Sequence, residues 1–319
     1  MTRPEPGRVG VIGAGAFGSA LACVAAAGGG AVTLWGRGAS PGSVAERLPG
    51  VAPPGGLAIT QDLGDLAGVE ALLLVLPAQA TEGFLAGHGA ALPPAPLVLC
   101  AKGIDARTFR LQSEIAAAAL PGRPLAVLTG PGFAGEISRG LPTALTLACP
   151  DPELGPRLQA LLATPRVRLY LTEDMIGAQL GGALKNVVAI ACGMAEGAGL
   201  GHSARAAVMT RGFAEMTRLA EALGARAETL AGLSGLGDLS LTCNSMQSRN
   251  FALGHALGAG RPAPGGTVEG VATARAACEL AARHGVELPI AAAVAAVLDG
   301  QLTLGAAIDA LLARPLKEE

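Results

Sequence analysis

Residues 8 to 37 constrain this chain more than any other stretch. A short apolar run, Val9 to Ile12, leads directly into Gly13-Ala-Gly-Ala-Phe-Gly18, which is G-x-G-x-x-G. A small-residue helical stretch follows from Ser19 to Ala27, then a glycine break at Gly28 to Gly30, then a second β-like run from Ala31 to Trp35. In a chain with 47 glycines the motif alone says little, but here strand, glycine turn, helix and strand arrive in order. Each glycine then has a task. Gly13 permits the tight turn, Gly15 lets main chain approach a pyrophosphate, and Gly18 lets helix and strand pack closely. The helix N-terminus offers N–H groups to the anion. The stretch predicts a dinucleotide-binding βαβ unit.

The end of the second strand bears on which dinucleotide. NAD-specific folds usually place a carboxylate there for the ribose 2′-OH. This chain has Gly36 and Arg37 instead, so nothing repels a 2′-phosphate and a guanidinium can pair with one. NADP(H) is the expected cofactor, with NAD(H) also accommodated. Arg37 as a solvated loop charge is the alternative.

The 319 residues suffice for two domains, and with half of them hydrophobic and 15% charged a large core is expected. A net charge of −2 supplies no field for a polyanion, which argues against nucleic acid as a partner. Six scattered cysteines, with no C-x-x-C and no clustered histidines, speak against a metal site and for reduced core thiols. Arg3 and Arg8 precede an apolar stretch, Ala14 to Ala27, that resembles a signal peptide, but the dinucleotide fingerprint accounts for its glycines. No uninterrupted apolar run reaches the ~18 residues of a membrane span. A cytoplasmic protein is expected.

Further strand-like runs occur at Ala71 to Leu76, Leu97 to Ala101, Leu125 to Thr129, Thr143 to Ala148 and Val167 to Leu171. Several are continuously apolar, as in strands covered on both faces. Pro77, Lys102-Gly103 and Gly130-Pro131 follow three of them, where open α/β sheets bind ligands. The stretch 38–56, rich in Gly and Pro, reads as a loop.

From Thr172 the period becomes helical. Thr172 is a candidate cap for one helix and Ser203 for a second that ends at Gly224. Val268 to His284, Pro289 to Leu298 and Leu304 to Ala313 read as further helices. The expected fold is an α/β Rossmann-type N-terminal domain, residues 1–176, plus an all-α C-terminal domain, residues 177–319.

Four polar constellations interrupt apolar surroundings. Lys102 follows a buried strand and either faces the cleft or is a surface lysine. Lys185 and Asn186 sit inside a mostly apolar helix, where an ammonium must be paired, neutralised or snorkelled to water. Leu233-Ser-Gly-Leu-Gly-Asp238-Leu reads as a glycine-flexed turn presenting one carboxylate, with a simple capping role as the alternative. Ser248 can cap a helix near Phe251 to Leu257, leaving Arg249 and Asn250 around an anion pocket. A phosphate-bearing substrate follows from the last of these, an ordinary cap being the alternative.

These residues, with Gly130-Pro-Gly-Phe-Ala-Gly-Glu136, Leu141-Pro-Thr-Ala144, Leu241-Thr-Cys243 and Val268-Glu-Gly270, span nearly the whole chain in order. The sequence resembles NAD(P)-dependent glycerol-3-phosphate dehydrogenase of the bacterial type. The resemblance implies that Lys185 is the acid/base, with Lys102, Asn186, Asp238 and Thr242 around the reacting carbons. It assigns Ser248, Arg249 and Asn250 to the substrate and its phosphate, with Gly130 and Gly132 also beside substrate. Gly13, Gly15, Ala16, Phe17, Gly18, Arg37, Lys102, Ala134, Arg249 and Glu269 fall to the cofactor, and no metal is implied. Two positions depart from the family pattern: Gly132 replaces a usual Ser or Thr, and Phe251-Ala-Leu-Gly254 replaces a more basic stretch.

The resemblance implies reversible reduction of dihydroxyacetone phosphate to sn-glycerol 3-phosphate, feeding glycerophospholipid synthesis. Burial and the neighbouring Lys102 are expected to lower the pKa of Lys185 toward the working range. Two other readings share the layout: another β-hydroxyacid dehydrogenase, and a non-catalytic NADP-sensing protein. The Gly- and Ala-rich helical half has the composition to support a homodimer.

Overall fold

The structure, a computed structural model, describes residues 7–314. Its first half runs β1 (Arg8–Ile12), α1 (Ala16–Ala27), β2 (Ala31–Trp35), α2 (Pro41–Arg47), β3 (Leu57–Thr60), β4 (Ala71–Leu74) and α3 (Thr81–His88). It continues with β5 (Leu97–Leu99), α4 (Gln112–Ala119), β6 (Leu125–Thr129), α5 (Ala134–Ser138), β7 (Thr143–Ala148), α6 (Leu154–Leu162) and β8 (Val167–Thr172). The eight strands form one sheet in the order β3-β2-β1-β4-β5-β6-β7-β8. All neighbours are parallel except β6 and β7.

Alternate residues of the central strands enter different cores. Leu73 and Val98 join one cluster with Val9, Leu21 and Leu128, whereas Leu72, Leu74, Leu97 and Leu99 join another with Ile12 and Val127. Burial on both faces is why these strands read as unbroken apolar runs. β2 and β3 lie to one side of β1 and β4 to β6 to the other, so the carboxyl ends of β1 and β4 flank the point where winding reverses.

The remaining helices are α7 (Met175–Gly197), α8 (Gly201–Ala222), α9 (Ala227–Ala231), α10 (Asp238–Cys243) and α11 (Arg249–Gly258), then α12 (Glu269–Arg283), α13 (Pro289–Leu298) and α14 (Leu304–Leu312). The result is an α/β Rossmann-type sheet followed by an all-helical half. By proximity the chain divides into two compact units. One comprises the chain through Lys102 with Arg110–Gln179, the other Gly103–Phe109 with the chain from Leu180 onward. The inserted segment 103–109 folds tightly around Asp105, whose Oδ1 accepts from Arg107 N, Thr108 N and Thr108 Oγ1. The Arg283 guanidinium lies 4.5 Å from the centre of the Phe109 ring in the same unit.

Several local expectations are corrected. Thr172 is the last residue of β8, paired with Ala148, and Asp174 caps α7 by accepting from Gly177 N at 2.8 Å. Ser203 lies inside α8, which begins at Gly201. The stretch read as a loop contains α2, held by a reciprocal cap between Ser40 and Ser43. β3 also went unforeseen: it is a short edge strand of four residues, three of them half-buried and one exposed. One helix, α7, is long and apolar enough to cross a membrane, but 89% of its most apolar window is buried within the protein.

Candidate active site

In the first unit, the dinucleotide motif forms the β1–α1 turn. Gly13 has φ +117°, and a Cβ there would collide with Val75 O, where β4 ends. A Cβ on Gly18 would collide with Gly13 O, so α1 can sit this close to β1 only through glycine. Gly15 contrasts with both: it is exposed, and a Cβ there would meet nothing within 4 Å. Gly15 caps α1 without a side-chain hydrogen bond, and the first turn through Ala16 and Phe17 carries no acidic residue. Space over Gly15 and a helix start suit a pyrophosphate, so the residues present fit a dinucleotide. Gly36 packs against Ala14, where a Cβ would stand 2.6 Å from the Ala14 Cβ, and Arg37 next to it is exposed.

Lys102 follows β5 and is half-buried. Its Nζ donates to Gly130 O at 2.8 Å and lies 5.6 Å from the centre of the Phe17 ring. The ends of β5 and β6 and the start of α1 are thereby joined through one ammonium. Ala134 opens α5, which packs on α1. Gly132 is explained by its neighbour: a Cβ there would lie 2.8 Å from Ile137 Cδ1, so that side chain occupies the room a hydroxyl-bearing residue needs.

The second unit brings Lys185, Asp238 and Thr242 together. Lys185 Nζ donates to Asp238 Oδ1 at 2.5 Å and to Thr242 Oγ1 at 2.9 Å. All three are buried, at 7%, 1% and 3% exposure. The pair spans 53 residues of sequence and joins α7 to α10. Asp238 is thus a carboxylate in direct contact with the Lys185 ammonium. The carboxylate arrives at the end of a π turn, Leu233–Gly237, closed by Gly237 N donating to Gly232 O. The sequence offered only a flexible turn here.

A second polar cluster lies beside the first along α7. Asn250 Nδ2 donates to Asn186 Oδ1 at 2.9 Å, and Asn250 Oδ1 accepts from Gly270 N at 2.9 Å. Asn250 thus links α7, α11 and the start of α12. Gly270 follows Glu269, the half-buried first residue of α12. Ser248 is the cap of α11, accepting from Phe251 N at 3.2 Å, and Arg249 beside it is exposed. The position of α11 is set by main chain lying on main chain: a Cβ on Gly193 of α7 would collide with Phe251 O, and one on Gly254 with Ile190 O. Gly254 in this chain's variant stretch is thus a packing residue.

Lys102 belongs to the first unit and Lys185 to the second. The cysteines are free, and burial pushes the Cys100 thiol up to about 12 despite the Lys102 ammonium. Cys100 is therefore a poor nucleophile. Among the described residues no group of three or more His, Cys, Asp or Glu could hold a metal ion.

The models for the N-terminal and C-terminal parts of NAD-dependent glycerol-3-phosphate dehydrogenase match residues 8–155 and 174–309. A glycerol-3-phosphate dehydrogenase [NAD(P)+] of Paracoccus denitrificans is 58% identical over 314 residues, covering 98% of this chain and 99% of the relative. The chain belongs to the NAD-dependent glycerol-3-phosphate dehydrogenase family. A Caulobacter vibrioides member of that name is 53% identical, with 98% of each chain covered. The crystal structure of glycerol-3-phosphate dehydrogenase from Coxiella burnetii superposes with a TM-score of 0.91 at 36% identity, over 98% of this chain and 100% of that one. As a member of this family, the chain is an NAD(P)-dependent oxidoreductase.

Proposed function

We propose that this chain reduces dihydroxyacetone phosphate to sn-glycerol 3-phosphate, reversibly, with Lys185 as the proton donor. The observation that carries the reading is the buried Lys185 ammonium, held by Asp238 and Thr242. As hydride adds to the central carbon, its oxygen gains charge and needs both a proton and a nearby cation. Lys185 supplies both. Asp238 fixes the ammonium against rotation and replaces the water it has lost, and Thr242 accepts a second of its three N–H bonds. In the oxidative direction the same nitrogen, deprotonated, accepts the alcohol proton.

The dinucleotide, when bound, supplies the hydride. Gly13, Gly15, Ala16, Phe17 and Gly18 would hold its pyrophosphate, and Lys102, Ala134 and Glu269 would line its path. Arg37 would pair with a 2′-phosphate, making NADPH the preferred form. Arg249 and the helix start at Ser248 would receive the substrate phosphate, with Asn186 and Asn250 setting the floor beneath it. Gly130 and Gly132 would contribute main chain beside the substrate. Such an enzyme would feed glycerophospholipid synthesis from the cytoplasm, as a homodimer.

The test is the purified chain with NADPH and dihydroxyacetone phosphate, followed by NADPH absorbance. Turnover with this substrate, and none with 2-oxo or 3-oxo acids, is expected. Turnover with a hydroxyacid substrate instead would favour another β-hydroxyacid dehydrogenase, and no turnover with any carbonyl would favour an NADP-sensing role.

A further inference from the structure

We propose that Gly181 is a positioning residue for the Lys185–Asp238 pair: it lets the main chain of α7 touch the π turn one helical turn ahead of both charges. The inference rests on the reading of Lys185 as proton donor. A Cβ on residue 181 would stand 2.6 Å from Ser234 O, 2.9 Å from Ser234 C and 3.0 Å from Gly235 Cα. All three are main-chain atoms, so no change of rotamer can make room.

Residue 181 lies four before Lys185, and Ser234 lies four before Asp238. Residues four apart in a helix share a face, so the contact at 181 and 234 and the ion pair at 185 and 238 are successive steps along one seam. At the first step nothing separates the two backbones. At the second, a short carboxylate and a lysine meet at 2.5 Å. Aspartate has one methylene with which to follow a displaced partner, so the pair is sensitive to the spacing set at Gly181.

The turn cannot simply retreat. Ser234 is buried, and its Oγ donates to Thr229 O at 3.3 Å. A Cβ on Gly235 would collide with Leu230 O, so the turn is pressed against α9 on that side. A methyl at 181 must therefore move α7 against the turn and lengthen the Lys185–Asp238 contact.

The decisive readout is the pH dependence of kcat for reduction, because that reaction needs the ammonium and fails as pH rises through its pKa. In Gly181→Ala the ammonium is farther from its anion, so the alkaline limb moves to lower pH. kcat falls about tenfold or more at neutral pH, and KM for NADPH is unchanged. Replacing Asp238 by Glu in the same chain lengthens the carboxylate arm and returns the limb toward its original position. Gly212→Ala, in α8, serves as the structural control, since the atoms nearest its Cβ belong to the Val188 side chain of α7, at 2.6 Å, and not to main chain. It lowers Tm without moving the limb. If Gly181→Ala does not fold, Ser234→Ala loosens the turn by one hydrogen bond and moves the limb in the same direction by less.

An alkaline limb that stays in place in the folded Gly181→Ala variant, or in Ser234→Ala where that variant is used, overturns the inference. The underlying reading fails separately: full turnover in Lys185→Ala would remove the proton donor itself.

Discussion

Lys185 on α7 and Asp238 on α10 form an ion pair at 2.5 Å in which the carboxylate is 1% exposed and the lysine 7%. A buried pair of this kind contributes little net stability, but removing one partner strands the other charge, at about 3–5 kcal/mol. Asp238→Ala should therefore lower unfolding free energy in urea by about that amount, and Asp238→Ala with Lys185→Met should recover most of it. Equal destabilisation in the single and double variants would show that the two charges are not coupled.

The glycines of the β1–α1 turn should separate by role. Gly15→Ala places a methyl in open space, so Tm should stay near the parent value while NADPH affinity, read by fluorescence titration, drops about tenfold or more. Gly18→Ala drives a methyl into Gly13 O and should cost about 1–3 kcal/mol of stability. Both variants losing Tm equally, with NADPH affinity intact in Gly15→Ala, would argue against a pyrophosphate above Gly15.

Arg37 follows the second strand and is exposed beside the Gly36–Ala14 contact. Arg37→Ala should raise KM for NADPH about tenfold and leave KM for NADH within a factor of two, because only the former carries a 2′-phosphate. Equal changes for both cofactors would assign Arg37 another role.

What the sequence disclosed, and what it withheld, follows from the range of the interactions. Strands β4 and β5 were legible because burial on both faces makes them continuously apolar, and Gly224, with φ of +85°, marked a helix end correctly. β3 was illegible because it is a short edge strand, three of its residues half-buried and one exposed. The π turn before Asp238 leaves no periodic trace, since a single i+5 turn is too short to shift the apolar spacing. Lys185 and Asp238 could each be picked out as polar residues among leucines. Their meeting across 53 residues, and the hydrogen bond from Asn250 to Asn186, needed the packing of α7, α10 and α11.

Glu215 adds a pH dependence away from these residues. This buried carboxyl on α8 accepts from Ile290 N at 2.7 Å and Ala291 N at 3.2 Å, at the start of α13. Burial pushes it up to about 7, against the opposing pull of those two N–H groups. Because the folded protein holds this proton more tightly than the unfolded chain, the contribution to stability is fully present below the usual carboxylate range. It is then lost as pH rises to about 7, on the order of 3 kcal/mol in all. The stability difference between the parent and Glu215→Gln should therefore fall between acidic and neutral pH, measured by urea unfolding across that range. A flat or rising difference would contradict the assignment.

The central claim is that the Lys185 ammonium donates the proton. Replacing Lys185 by Ala and measuring kcat for dihydroxyacetone phosphate reduction, alongside NADPH binding by fluorescence, tests it most directly. The account predicts unchanged NADPH affinity with kcat lower by about 100-fold or more. A folded Lys185→Ala enzyme with near-normal kcat would contradict it.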